Sequence, residues 1–161
     1  MARLLLVTGA VTTMVGTSAY FGLGQAWGGP VATVGVGVVA VGVGLLSIDM
    51  TGLTRWTGWA VTVSGFALVT AITASALGIE SLGRSWEPIL TGVFVLFMTT
   101  VTLFGIVGLI SGSIPLVAAI LLVVGASLLA AGAWQERLGD IGLLVATAGL
   151  VLLGANSMLS A

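Results

Sequence analysis

The chain contains no histidine, no cysteine and no lysine. Each absence closes off a chemistry. Without His and Cys, the usual ligands of haem iron, zinc and iron–sulfur clusters are missing. Without Lys there is no amine to form a Schiff base with retinal or pyridoxal phosphate. Without His the Ser-His-Asp arrangement cannot form. Without Cys there is neither disulfide nor thiolate. The sequence therefore predicts no catalytic residue, no metal and no cofactor. Charge is nearly as scarce, with four arginines and five acidic residues among 161 and a net charge of −1. Four arginines make no basic patch, so nucleic acid is not an expected partner. Arginine without lysine, beside a slight acidic excess, suits a GC-rich genome such as a halophile's.

What remains is apolar. The chain is 58% hydrophobic and 6% charged, against about 25% charged in soluble domains. So few charges cannot solvate the surface of a globule, and the sequence predicts an all-α integral membrane protein, a single transmembrane domain over 1–161 with the lipid bilayer as its first partner.

Charged residues and turn formers divide the chain into six apolar stretches, at about 3–24, 31–48, 57–78, 88–110, 114–133 and 140–160. A spanning helix needs about 20 residues, so six spans are expected. The first follows Arg3 as a signal peptide would. It runs on to Leu23, however, longer than a secretory apolar core of about 7–15 residues. All five tryptophans, at 27, 56, 59, 86 and 134, stand at the ends of stretches, where indole prefers the headgroup level. Six spans place both termini on one side. The arginines divide equally between the sides, and the amino terminus itself favours the cytoplasmic one.

Glycine supplies the packing signal. Ten pairs of the 25 glycines lie seven apart, but only two pairs lie four apart. Seven residues is nearly two helical turns, so each heptad pair marks one smooth helix face. Such faces let helices approach closely, and the heptad favours left-handed crossings near +20°. Odd helices carry Gly9/Gly16, Gly58/Gly65 and Gly125/Gly132. The last helix carries Gly142/Gly149. The second span, VATVGVGVVAVGVGLL from Val31 to Leu46, carries two pairs about 200° apart, Gly35/Gly42 and Gly37/Gly44. Valine and glycine favour strand or coil in water, but a lone strand in lipid leaves its backbone unpaired. The stretch must be helical, lying between two other helices. Late glycines in the even helices suggest three helical hairpins, at about 1–50, 51–112 and 113–161. In this architecture and glycine placement the chain resembles the HdeD-like acid-resistance family of membrane proteins.

Few polar residues lie inside the spans. Thr62 with Thr73, and Thr91 with Thr102, share helix faces, and Asn156 is the one carboxamide deep in a span. They are candidates for a polar contact or pathway. Glu80, Arg84, Glu87, Glu136, Arg137 and Asp140 cluster on one side and are candidates for ion pairs in the connecting loops. With no charge near any span centre, a proton-driven pump is disfavoured. The expected function is that of a non-catalytic, structural or accessory subunit of a membrane assembly, partnered by other membrane subunits or by copies of itself. The alternative is a small uncoupled channel or carrier working as an oligomer.

Overall fold

The computed structural model describes residues 1–77, 86–132 and 135–159. Every regular element among them is helical: α1 (Ala2–Thr17, continued by a π-helical turn over Ser18–Gly22), α2 (Gly28–Ile48), α3 (Gly52–Ala76), α4 (Trp86–Ile110), α5 (Leu116–Gly132) and α6 (Glu136–Leu159). Five helices are long and apolar enough to cross a membrane, and α5 is a shorter apolar helix of 17 residues. This is the architecture of a multi-pass helical membrane protein. The valine–glycine stretch is helical throughout.

Several helices start before the expected apolar boundaries, α2 at Gly28 rather than 31 among them. Helix α3 starts at Gly52 rather than near 57, α4 at Trp86 rather than 88, and α6 at Glu136 rather than 140. Glu87, Glu136, Arg137 and Asp140 therefore belong to helical turns, not to loops as expected. Hydropathy marks where a chain leaves an apolar medium, but backbone hydrogen bonding continues past that point. The first turns of α4 and α6 also suit carboxylates, which complement the positive end of the helix dipole.

The connections close with glycine where the backbone turns left-handed. After α4, Gly112 has φ +69°. The N–H of Ser113 reaches back to Gly108 O at 2.9 Å, and that of Gly112 to Leu109 O at 3.1 Å. This paired closure satisfies carbonyls that the helix end would leave bare, and Pro115 then prevents the helix from continuing. Gly24, with φ +63°, does the same after α1. There the Gln25 N–H bonds Ala19 O at 2.9 Å. That carbonyl lies one residue further back than usual, because the last turn is π-helical.

Each helix packs on its neighbours in the chain, and α1 packs on α6; no other helix pair meets among the described residues. The six helices thus form a closed ring. Gly154 faces Val7 and Arg3 O, which places the end of α6 beside the start of α1. Every helix contributes to one buried apolar cluster, through Leu6, Val43, Val61, Phe104, Leu122 and Leu153 in chain order. In an apolar medium, burial of such groups gains little from dehydration, so the ring must hold by close packing and hydrogen bonds.

Candidate functional site

Two of the three hairpins are interlocked backbone against backbone. In the first, Gly9 lies opposite Val39, Gly16 opposite Ala32, Gly35 opposite Thr13 and Gly42 opposite Leu6. The residue numbers of each pair add to one constant total, so the antiparallel register never slips. A Cβ at Gly9 would stand 2.7 Å from Val39 N and 3.1 Å from Gly35 O, which is closer than a methyl group tolerates. In the third hairpin Gly125 lies opposite Ala146, Gly132 opposite Gly139, Gly142 opposite Leu129 and Gly149 opposite Leu122. Again the pairs share one total. At Gly9 and Gly16 of the first hairpin, and at Gly142 and Gly149 of the third, a Cβ would strike the N of the residue opposite and the carbonyl four residues before it. Gly16 meets Ala32 N and Gly28 O just as Gly142 meets Leu129 N and Gly125 O. One packing scheme is therefore used twice.

The middle hairpin is built differently, so the three expected hairpins are not equivalent. Gly58 and Gly65 of α3 meet side chains rather than backbone: Ser47 and Ala40 on α2, and Phe104 and Phe97 on α4. Phe97 and Phe104 are themselves seven apart and buried. They seat over the α3 glycines as knobs over holes, and two aromatic rings keep α3 and α4 from backbone contact. Helix α2 separates its two glycine faces. Gly35 and Gly42 turn to α1, whereas Gly44 meets Thr62 and Gly37 meets Val69 on α3.

Hydroxyls cluster along α3. Thr54, Thr62 and Ser64 are buried there, as is Ser47 on α2. Thr62 Oγ1 donates to Ala40 O of α2 and Gly58 O of its own helix, each at 3.1 Å. Ser64 Oγ lies 2.8 Å from Thr100 Oγ1 of α4, and Thr54 Oγ1 lies 2.8 Å from Ser111 Oγ. Ser47 donates to Val43 O at 2.7 Å. These hydroxyls are spent on protein partners, as an apolar setting demands. They form a seam that staples α3 to both neighbours.

Among the described residues, the paired threonine candidates do not share one environment. Thr62 is buried, but Thr73, on the same face three turns on, is exposed and donates to Val69 O at 2.8 Å. Thr91 is exposed, while Thr102 is half-buried and donates to Met98 O at 2.9 Å. Asp140 is exposed. Glu80, Arg84 and the side chains of Glu87, Glu136, Arg137 and Asn156 lie outside the described residues. Among the described residues no group of three acidic, His or Cys side chains could hold a metal ion.

Sequence reasoning missed Ser47, Thr54, Ser64 and Ser111 in the hydroxyl seam and the Phe97/Phe104 pair. A signal for the latter existed. An aromatic heptad in one helix beside a glycine heptad in the previous one marks a knob-and-hole match. No protein-family model matches the chain, and no curated protein or solved structure does either. The resemblance to the HdeD-like family thus rests on architecture and glycine placement alone.

Proposed function

We propose that the chain is a six-span, non-catalytic membrane protein that serves as a structural or accessory subunit of a membrane assembly. The observation that carries this reading is the buried apolar cluster shared by all six helices. Phe104, Leu6 and Leu122 within it are at most 1% exposed, and the hydroxyls of the α3 seam are bonded within the protein. A transport path through one chain needs polar groups left free to meet a solute, and the candidate threonines are instead scattered between core and exterior.

Helix α5 counts as the sixth span. Its 17 residues rise about 25 Å, at the short end of what crosses a bilayer. The heptad glycines favour left-handed crossings, and even parity puts both termini on one side of the membrane. With such short connections, what the protein presents to partners is chiefly its outer helix faces. These carry large apolar side chains such as Val34, Val63 and Leu96.

The test is the native mass. The tagged chain, extracted into polymer-bounded native nanodiscs, is expected to elute as a complex, with second subunits or further copies in fixed ratio to the 16.0 kDa chain. A monodisperse single chain without a stoichiometric partner overturns the proposal.

A further inference from the structure

The turn between α2 and α3 carries two charges, and each stands at the wrong end of its helix. Asp49 follows Ile48, the last residue of α2. The negative end of the helix dipole lies there, so a carboxylate is disfavoured. Arg55 stands in the first turn of α3, which begins at Gly52. The positive end lies there, so a guanidinium is disfavoured. Asp49 and Arg55 are the only charged residues between Gly28 and Ala76. Both are exposed. Among the described residues, neither side chain forms an ion pair or a hydrogen bond, with the other or with anything else. Packing and helix electrostatics therefore leave both charges without a structural purpose.

The same arrangement becomes favourable around a ligand of opposite polarity. Ser47 of α2 closes on Gly58 of α3, so Asp49 and Arg55 both extend from that contact toward one end of the bundle. Thr51 gives α3 no side-chain cap, and the first turn holds no acidic residue. Arg55 and the start of α3 thus form one positive pole. The last turn of α2 holds no basic residue, so Asp49 and the end of α2 form a negative one. A simple anion would be opposed by Asp49, and a simple cation by Arg55. A zwitterion satisfies both poles. The level in the membrane fits a lipid head group. Trp56 and Trp59 are exposed on the face of α3 that carries Arg55, and indole marks the headgroup layer. Leu45 and Ile48 of α2 and Val63 of α3 are exposed beside them, an apolar wall for acyl chains.

We propose that the α2–α3 turn binds a phospholipid with a phosphoethanolamine head group, its phosphate on Arg55 and its ammonium on Asp49. The guanidinium fork takes phosphate oxygens in pairs. A primary ammonium offers N–H donors to the Asp49 carboxylate, whereas the trimethylated nitrogen of phosphocholine has none. Phosphoglycerol carries no cation and leaves Asp49 unanswered. Lipid reaches this outer face in a lone chain as well as in an assembly, so the site does not rest on the subunit reading.

Native mass spectrometry tests this by counting lipids retained on the purified chain. Detergent micelles are supplemented with ethanolamine, choline or glycerol phospholipids of identical acyl chains. The ethanolamine lipid should be retained roughly fivefold better than either of the others, about what one charge-assisted contact gives. Equal retention, or best retention of the glycerol lipid, overturns the proposal. Asp49→Asn should abolish the preference over the glycerol lipid, and Arg55→Gln should lower retention of the ethanolamine lipid by a similar factor. Arg3→Gln, at the start of α1, should change neither. A preference that survives both turn substitutions, or an equal loss with Arg3→Gln, also refutes the site. In lipid-free detergent, Asp49→Asn and Arg55→Gln should unfold no earlier than the native chain, because each removes a charge from the wrong end of a helix. Earlier unfolding there would assign the two charges to the fold instead. The comparison of the three lipids on the native chain needs no substitution at all.

Discussion

At the scale of the residue, glycine in this protein has three different meanings. Gly24 and Gly112 turn the chain left-handed. Gly16 and Gly125 admit a neighbouring backbone, since a Cβ at either would collide with Ala32 N or Ala146 N. Gly92 of α4 does neither, for nothing lies within 4 Å of where its Cβ would be. Composition cannot separate these roles, but substitution does. Gly16→Ala and Gly125→Ala should each destabilise the fold by about 1–3 kcal/mol, the cost of overpacking an interface that cannot give way. Gly92→Ala should be neutral or stabilising by up to about 1 kcal/mol, from helix propensity alone. Thermal unfolding in detergent compares the three. Equal losses at all three positions would mean that the close approaches do not hold the hairpins.

At the scale of the element, helix α2 works only in one rotational setting. Its Gly35 and Gly42 serve α1 while its Gly44 serves α3. Inserting one alanine after Val38 turns the following residues by about 100°. That carries Gly42 away from Leu6 and Gly44 away from Thr62, and both interfaces lose their register together. The expected outcome is loss of the folded, detergent-stable species on size-exclusion chromatography; a stable variant would show that α2 is not held from both sides.

The two-sided character of α2 was legible in the sequence, because heptad spacing fixes angles within a helix. Helicity and chain-neighbour packing were legible for similar local reasons. The difference between the outer hairpins and the middle one was not. It depends on Phe97 and Phe104 of α4 coming to rest on Gly65 and Gly58 of α3, a match between helices that neither one's periodicity contains. Closure of the ring through Gly154 and Val7 was hidden for the same reason, since those residues stand at opposite ends of the chain. Helix starts at Gly52 and Glu136 were displaced because apolar length and helical length are different quantities.

At the scale of the whole molecule, the fold combines two backbone-locked hairpins with a middle pair held by aromatic rings and hydroxyls. All six helices contribute to one buried apolar cluster, and the hydroxyls of the α3 seam are bonded within the protein. If that core is dry in the membrane, whatever the protein does is done on its outer faces, and the subunit reading follows. The direct measurement is solvent access at single cysteines, which the cysteine-free chain permits without background. Cysteines at Thr62, Phe104 and Leu122, in the core, and at Asp49 and Gln135, in the connections, are challenged with a membrane-impermeant thiol reagent in open membrane sheets. The account predicts rapid labelling at 49 and 135 and none at 62, 104 or 122 until the protein is denatured. Labelling of the core positions in the native protein would reveal a water path through the ring and contradict it.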